Sequence, residues 1–517
     1  MSSLATNENA MPRVETDIII IGAGIAGLAA GCYAQMNGYR SQIFEQNTYP
    51  GGLCTAGQQQ GYTFDGCIHY LFGTGTGQPF HQIWQELGAV QGLDFISQDE
   101  FMRIVGPAGE TLIVYSDPER LETHLKSLSP ADTRLIESFC AGVRRFTEFD
   151  LSLLQQKPKS LMTGADWARL GRRLLPFARP MAKWGSLPVR EFAQRFQSPF
   201  LQRAIAQLIA WPDMPTMVAM SMLAYQYNGN AGAPLGASSN FARAIEQRYQ
   251  ALGGKVHYGT PVEKIIVEAD RATGVKLNNG ESHQCDRVIS ASDGRNTLYH
   301  LLDGRYLNRA LNNLYGDRTP TKSQLHISLG INRDFSHEPH WVTHLLDQPI
   351  AIAGETHAEL SVKHHCFDPS LAPPGKSVVT LLLTTAYHNW QGKAVNGLLT
   401  PQPDHLAIAP LLDRFTQLYP GIRDDIECIQ VTTPLNYEQN TGNWQGSICG
   451  WALNKDTLPL LIKGVPKTLP NLQRFYMAGQ WVEPGGSLPI VAMSGRNAIQ
   501  QICAEDIRPF KTQVPDG

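Results

Sequence analysis

Glycines, one acid and one histidine near the N-terminus are the residues with the clearest chemistry. Gly22, Gly24 and Gly27 have the spacing G-x-G-x-x-G. In such a turn the first glycine allows a tight bend, the second lets a pyrophosphate approach the backbone, and the third lets a helix pack closely on a strand. Glu45 follows Gly27 by eighteen positions, where an acidic side chain can bind ribose hydroxyls. The spacing predicts a dinucleotide site, and the alternative is a tight turn without a ligand.

The elements around these residues favour the dinucleotide interpretation. Ile18–Ile21 is a continuous apolar run, as expected of a parallel strand that is buried on both faces. A helix follows the glycines and supplies oriented N–H groups for phosphates. Ser41–Phe44 is predicted to be the second strand. The pattern by itself does not distinguish NAD from FAD.

The segment 51–73, GGLCTAGQQQGYTFDGCIHYLFG, places an ionisable and an aromatic residue side by side. We predict a strand that ends at His69 and Tyr70. His69 is the candidate general acid or base, because an unperturbed imidazole titrates near neutral pH. The alternative is that His69 packs against a cofactor, or hydrogen-bonds to it, without transferring protons.

Gly51-Gly52 and the later GYTFDGCIHY give the sequence its likeness to known proteins. It resembles the superfamily of flavin-dependent amine oxidases and carotenoid desaturases. The resemblance implies FAD as the cofactor, with Gly51 and Gly52 folded against its pyrophosphate and the segment up to His69 directed at the flavin. Members often have arginine after the two glycines. This chain has Leu53, so that phosphate contact is either lost or supplied by the backbone.

A middle part of the chain matches the discontinuous flavin domain of that superfamily. In 240–293 an amphipathic helix precedes a strand, a hairpin and a final apolar strand. An ordinary α/β segment explains these periodicities, but it does not explain their order. The resemblance implies that Val262, at the start of the hairpin, contacts the adenine through its backbone.

The C-terminal segment 474–503 is the third matching part. A strand leads to Gly479, and a turn rich in proline and glycine, which includes Gly486, leads to a helix that begins near Leu488. The resemblance implies that this helix N-terminus points at the flavin, where its dipole stabilises negative charge. Many members have aspartate where this chain has Gln480, which can hydrogen-bond the ribityl chain without a charge.

The motifs GYTFDGCIHYLFG, TTPLNYEQNTGNWQGSICG and PGGSLP resemble most the branch of phytoene desaturases, carotenoid isomerases and retinol saturases. That branch implies an FAD-dependent oxidoreductase that acts on carbon–carbon bonds of a hydrophobic isoprenoid or polyene by hydride transfer at flavin N5. Desaturation, saturation and isomerisation remain open. The alternatives are a flavin amine oxidase that uses oxygen and a non-catalytic protein that binds flavin or lipid. Without a second G-x-G-x-x-G, NAD(P)H would act at the flavin itself, or electrons would pass to quinone or oxygen.

The predicted fold is α/β, with a discontinuous Rossmann-like FAD-binding domain of the glutathione reductase type. We assign this domain to 14–72, 236–298 and 444–508. The substrate domain takes 73–235 and 299–443, with an antiparallel sheet that has one solvated face and a helical cap at about 150–230. The residues expected to line an apolar substrate tunnel are Tyr70, Phe72, Trp481 and Tyr227.

Composition and charge exclude several classes of protein. The formal net charge of −3 gives no reason to expect nucleic acid as a partner. The nine cysteines are scattered and form no C-x-x-C pair, which favours a reducing, cytoplasmic compartment over a disulfide framework. The histidines at 340, 344, 364 and 365 have no carboxylate spacing that completes a metal site, so no metal is predicted. Residues 1–16 are polar and are predicted to be a disordered leader.

Residues 169–203 differ in charge from the rest of the chain. They include eight basic residues and one acid, interspersed with tryptophan, phenylalanine and leucine. Basic and apolar side chains on short helices are typical of a peripheral membrane contact, because apolar burial and attraction to anionic lipid add. The alternative is a solvated helical cap that contacts no lipid.

Overall fold

The computed structural model describes residues 16–209, 211–318, 320–393, 398–399 and 407–515. All but the last residue of the predicted leader lies outside the described residues. A five-stranded parallel sheet forms the centre of the nucleotide-binding part. Its strands are, in spatial order, Lys255–His257, Ser41–Phe44, Ile18–Ile21, Arg287–Ser290 and Phe475–Met477. All of these strands come from the three segments assigned to the flavin domain by sequence.

The apolar run Ile18–Ile21 is buried because both faces of the parallel sheet are covered. Ile18 and Ile20 pack into the core beneath the helix Ile25–Met36. Ile19 and Ile21 face the opposite way, toward Ile265 and Val275 of a small antiparallel sheet. That sheet consists of Val262–Glu268, Arg271–Leu277 and Ser282–Gln284.

The helix Ile25–Met36 packs against two further helices, Ser238–Ala251 and Leu488–Glu505. Gly495 allows a close approach here, since a Cβ at this position would lie 2.3 Å from the carbonyl oxygen of Ala26. The three helices come from distant parts of the sequence, and their contact joins the three segments of the flavin domain into one layer.

The substrate part contains an eight-stranded mixed sheet. In spatial order its strands are Leu398–Leu399, Ile426–Thr432, Ser323–Ile331, Ser377–Thr385, Glu355–His364, Trp341–Ile352, Glu100–Val105 and Thr111–Tyr115. Neighbouring strands run antiparallel, except that Trp341–Ile352 and Glu100–Val105 are parallel. Most of the predicted antiparallel character is therefore present.

The prediction of one solvated face is wrong for the central strands of this sheet. Ser323–Ile331 and Ser377–Thr385 are buried along almost their whole length. The helix Ala409–Leu418 covers the apolar face. Tyr62 and Phe64 help to cover the other face, although it carries serine, threonine and histidine side chains. Polar side chains on this face therefore need partners inside the protein.

The helices of the cap share one hydrophobic core with strands at the edge of the mixed sheet. Two helices before residue 150, Pro118–Leu128 and Thr133–Phe146, share this core, in which Phe139 stacks on Phe192 at a centroid distance of 5.2 Å. The other helices of the cap are Gly164–Leu174, Ala178–Trp184, Val189–Ala193, Pro199–Ala206 and Thr216–Tyr227. The remaining α-helices are His81–Glu86, Gly294–Asn296, Arg309–Asn312, Pro434–Thr441 and Leu458–Lys463.

The segment before His69 is not one continuous strand. A hairpin of Ala56–Gln59 and Tyr62–Asp65 ends at Asp65, whose carboxylate accepts hydrogen bonds from the backbone N–H groups of Cys67 and Ser238 at 3.0 and 3.1 Å. A separate short strand, Leu71–Phe72, pairs with Ala231–Pro234, which also pairs with Phe95–Ile96. His69 and Tyr70 therefore lie in the connection between two strands.

Candidate active site

A cavity of about 430 Å³ extends from the glycine turn to the helix Leu488–Glu505 and into the cap. Most residues that the sequence singled out line it. From the cofactor set these are Gly22, Gly24, Glu45, Gly51, Gly52, Leu53, Val262, Gly479, Gln480, Gly486 and Leu488. From the reaction and substrate set they are His69, Tyr70, Phe72 and Trp481. Gly27 and Tyr227 are not among the lining residues.

The three glycines of the turn have different structural roles. Gly22 has φ +97°, a conformation that L side chains rarely adopt. A Cβ on Gly24 would meet nothing within 4 Å, so its side of the turn opens into the cavity. A Cβ on Gly27 would lie 2.0 Å from the carbonyl oxygen of Gly22. Gly27 therefore allows the helix to pack on the turn and has no direct contact with the cavity.

The second glycine pair lies against the first turn. The backbone N–H of Gly51 donates to the carbonyl oxygen of Ala23 at 2.9 Å, and Gly51 and Gly24 form a parallel β-bridge. Gly51 has φ +111°, and a Cβ there would lie 2.2 Å from the carbonyl oxygen of Cys54. The two glycine segments thus form adjoining backbone walls of the cavity, with Leu53 beside them.

Glu45 is buried at the same end of the cavity. Its carboxylate accepts a hydrogen bond from the backbone N–H of Ala23 at 2.6 Å and another from that of Asn47 at 2.9 Å. Burial raises the pKa of this carboxyl, and the two backbone donors oppose that shift. Glu45 therefore stabilises the glycine turn through Ala23, and it also lines the part of the cavity where the ribose is predicted.

Two helix N-termini border the cavity without a side-chain cap. Gly24 precedes Ile25–Met36, and Ser487 precedes Leu488–Glu505, and neither residue caps its helix through a side chain. The first residues of both helices line the cavity. Uncapped N–H groups at positive dipole ends suit a pyrophosphate at one end and a negatively polarised ring at the other. The open space at Gly24 and these donors fit FAD.

Most of the remaining cavity wall is apolar. The cap contributes Phe149, Leu151, Met214, Met217, Val218 and Met222, and the opposite side contributes Leu453, Leu458 and Leu461. Among the described lining residues the only carboxylates are Glu45 and Asp293. Asp293 accepts from the backbone N–H groups of Asn296 and Trp444 at 2.6 and 2.9 Å, and burial raises its pKa to about 6.

The structure brings Tyr225 into this wall in place of the predicted Tyr227. Both residues belong to the helix Thr216–Tyr227, but two positions correspond to more than half a turn. Tyr225 therefore faces inward with Met222, whereas Tyr227 is 48% exposed. The inward spacing of Val218, Met222 and Tyr225 is a helical period that the sequence already contained.

Trp481 lines the cavity from a fixed position. Its indole N–H donates to the side-chain oxygen of Asn443 at 3.1 Å, and its ring packs edge-on against Trp451 at 5.0 Å. Its carbonyl oxygen accepts from the hydroxyl of Tyr315 at 2.7 Å and from the indole N–H of Trp451 at 3.0 Å. Trp481 is therefore a rigid part of the wall.

His69 is paired with a residue that sequence reasoning missed. Its Nδ1 lies 3.0 Å from Nζ of Lys363, which is 1% exposed. Burial lowers the pKa of His69 well below its usual value, and the nearby charge of Lys363 lowers it further. The imidazole is therefore neutral at physiological pH. The signal in the sequence was a single lysine within the strand-forming run ELSVKHH.

The parallel sheet, its two glycine segments and the two uncapped helices define an FAD-dependent oxidoreductase. The chain belongs to the family described as "Flavin containing amine oxidoreductase", which matches residues 25–503. This assignment confirms FAD and the superfamily that the glycine motifs indicated.

Relatives of known activity cover almost the whole chain. Prolycopene isomerase 2 of an Oncidium hybrid cultivar is 24% identical over 95% of this chain and 84% of its own length. The 4,4'-diapophytoene desaturase of Methylomonas sp is 23% identical over 96% of both chains. All-trans-retinol 13,14-reductase of Danio rerio is 24% identical over 90% of this chain and 82% of its own length. These names match the branch that the sequence indicated.

The fold is also that of solved structures. An oxidoreductase from Methanosarcina mazei superposes with a TM-score of 0.60 at 17% identity, covering 94% of this chain and all of its own. Among the described residues, no helix is both long and apolar enough to cross a bilayer.

Proposed function

We propose that this enzyme uses FAD to change carbon–carbon bonds of a hydrophobic isoprenoid or polyene. The observation that carries this proposal is the apolar part of the cavity, built by Met217, Val218 and Met222 of the cap and by Leu458 and Leu461 opposite. It is continuous with the part that fits FAD. Binding of an apolar chain against apolar walls is favourable, because apolar surface is removed from water. A polar ligand bound there would lose its hydrogen bonds to water without replacing them.

The three relatives support a polyene substrate and leave the direction of reaction open. Their names describe an isomerase, a desaturase and a reductase. We infer that the redox partner of the flavin sets the direction of the reaction. This partner is NAD(P)H, which would donate electrons at the flavin itself, or quinone or oxygen, which would accept them. Hydride transfer at flavin N5 is the chemistry that FAD supplies when bound.

The residues of the chain have separate tasks in this proposal. Gly24 and Gly52, whose side of the turn lines the cavity, would leave room for the pyrophosphate, Glu45 would bind the ribose, and the N-terminus of Leu488–Glu505 would lie near the ring. The apolar cap excludes water and aligns the substrate. His69 serves the proton step at the cavity wall.

The family name favours the alternative of an amine oxidase. The described cavity lining, however, offers no carboxylate that is free to bind the ammonium group of an amine. The described lining residues offer Glu45 and Asp293 as carboxylates, and both already accept backbone N–H groups. The nearest charge to His69 is the cation of Lys363, which repels an ammonium substrate. An apolar substrate is therefore favoured.

The decisive experiment is anaerobic incubation of the FAD-loaded enzyme with candidate polyenes, once with the flavin in its yellow, oxidised form and once after chemical reduction of the flavin, in which the flavin spectrum and the product mass are followed together. Loss of two hydrogens indicates desaturation, gain of two indicates saturation, and an unchanged mass with altered geometry indicates isomerisation. In a parallel incubation with amines in the presence of oxygen, hydrogen peroxide release, together with no change in any polyene, would support the amine oxidase instead. Protein that does not take up FAD would refute the proposal.

We also propose that residues 169–203 contact a membrane surface on the cytoplasmic side, from which an apolar substrate enters. In this part of the cap Leu175 is 71% exposed, and Trp167, two residues before it begins, is 39% exposed. Exposed apolar side chains beside basic ones suit an anionic lipid surface. The protein is expected to float with anionic liposomes, and charge reversal at Arg172 and Arg173 should release it. Absence of flotation would favour the solvated cap.

A further inference from the structure

Three central strands of the mixed sheet present a polar but dry face. Lys363 lies opposite Thr380 in one strand pair, and Ser328 lies opposite Thr380 in the next. His326 and His365 are two positions away from Ser328 and Lys363, so they project to the same side. All five side chains are buried. Polar side chains in such a place are costly unless they hydrogen-bond.

Most polar side chains on this face make hydrogen bonds within the sheet. His326 Nε2 lies 3.1 Å from Oγ of Ser328, and His365 Nε2 lies 3.1 Å from Oγ1 of Thr380. Lys363 differs, because its Nζ leaves the sheet and meets Nδ1 of His69 at 3.0 Å. The lysine thus connects the substrate sheet to the cavity wall.

Lys363 is a buried cation without a carboxylate partner. Among the ion pairs of the described residues, none includes it. Its ammonium lies 6.0 Å from the centroid of the Trp341 ring, and the His69 ring lies 5.4 Å from the same tryptophan. The nearby carboxylate of Asp65 is held by Cys67 and Ser238. A costly buried charge that contacts a cavity-lining histidine is typical of a functional site.

The hydrogen bond to Lys363 determines what His69 can offer the cavity. An ammonium has three donors and no acceptor, so Nδ1 must accept and must carry no proton. A neutral imidazole then carries its proton on Nε2. Since His69 lines the cavity and its Nδ1 faces Lys363, Nε2 is the nitrogen left for a ligand there.

We propose that Lys363 is a positioning residue that holds His69 in the tautomer with its proton on Nε2, so that His69 presents a hydrogen-bond donor to the cavity. When Lys363 loses its proton, the restraint on the tautomer is released. The importance of this pair for turnover rests on the proposed function, because it requires the cavity to be the reaction site. The tautomer itself does not depend on the substrate.

The pH at which the restraint is lost depends on the groups that face Lys363. Burial lowers the pKa of Lys363 to about 8, and Asp65 and Cys67 oppose this shift. The other ionisable groups near it are the imidazoles of His69, His326, His340, His364 and His365. Burial lowers the pKa of each of these imidazoles, so all are neutral from pH 7 upward, and Lys363 is the group that titrates near pH 8.

Histidine nitrogen NMR on the FAD-loaded enzyme without substrate tests the tautomer directly. With the signals of His69 identified by their absence in His69→Gln, we expect an unprotonated Nδ1 and a protonated Nε2 at pH 7. Raising the pH through about 8 should shift the Nδ1 signal. A protonated Nδ1 at pH 7, or signals that do not change with pH, would overturn the proposal.

Two variants and a control extend this test to turnover. Lys363→Arg keeps a donor that stays charged, so it should keep the tautomer and move the alkaline loss of activity to higher pH. Lys363→Met should abolish the restraint and lower turnover at pH 7 by at least about tenfold, as for other residues that orient a reacting imidazole. Lys322→Met removes a 61% exposed lysine near the same sheet and should leave both readouts unchanged.

The two variants also distinguish a failure of the positioning role from a failure of the proposed function. If Lys363→Met has the NMR signals and the pH profile of the wild type, the positioning role is refuted. If no polyene is converted by any form while the NMR result is as expected, the proposed function fails and the tautomer assignment stands. FAD content, measured for every form, verifies that the cofactor site is intact.

Discussion

Replacing Lys363 by methionine should stabilise the folded protein, and the gain should depend on pH. Lys363 is 1% exposed and has no ion pair among the described residues, and its nearest polar partner is Nδ1 of His69. Methionine has a similar length and no charge. The variant therefore removes the cost of a buried ammonium and also removes one hydrogen bond.

The size of the effect follows from the shift in pKa. Burial lowers the pKa of Lys363 from 10.5 to about 8, and at about 1.4 kcal/mol for each pH unit this corresponds to ~3 kcal/mol. Loss of the hydrogen bond costs about 1 kcal/mol. Below pH 8 the net gain of the variant is therefore about 2 kcal/mol in the free energy of unfolding.

The sign of the pH dependence is also determined. Between pH 8 and pH 10.5 the unfolded chain binds more protons at this lysine than the folded protein, so the wild type becomes more stable as the pH rises. The advantage of Lys363→Met should therefore shrink by ~3 kcal/mol across this window. The imidazoles near Lys363 stay neutral in this window in both proteins, because burial lowers their pKa values, so they do not contribute to the difference.

Paired urea unfolding of the FAD-loaded proteins at several pH values, followed by tryptophan fluorescence, measures this difference. Lys322→Met is the matched control, because Lys322 is 61% exposed and should give no such pH dependence. A Lys363→Met variant that is less stable than the wild type at pH 7, or whose stability difference does not change between pH 7 and pH 10.5, would refute the reasoning.

Three further predictions compare residues of the cavity wall with neighbours that do not line it. Gly24→Ala should fold normally but bind FAD more weakly, because the added Cβ enters the open space where the pyrophosphate is expected. Gly27→Ala should instead lower the melting temperature, because its Cβ would clash with a carbonyl oxygen 2.0 Å away. FAD content and melting curves distinguish the two variants, and equal behaviour would contradict the assigned roles. His69→Ala should retain FAD and lose most turnover, and unchanged turnover would exclude an essential role in the proton step. Tyr225→Ala should raise KM for a polyene while the exposed Tyr227→Ala should not, and the reverse result would show that the helix presents its other face.

The sequence by itself determined the nucleotide-binding part to within a few residues. The strands Ile18–Ile21 and Ser41–Phe44, the strand that leads to Gly479 and the helix start at Leu488 all lie where predicted. These features depend on short-range physics. A strand covered on both faces needs a continuous apolar run, and a turn that leaves room for a ligand needs glycine.

The tertiary structure decided the features that depend on distant contacts. The strand before His69 ends at Asp65, whose carboxylate accepts a hydrogen bond from the backbone N–H of Ser238, far along the chain. The polar face of the mixed sheet is dry because the flavin-domain hairpin covers it, which alternation along one strand cannot reveal. The pairing of His69 with Lys363 joins residues 294 positions apart. Sequence spacing contains no information on such a contact, because packing of the sheet against the cavity wall brings these two side chains together.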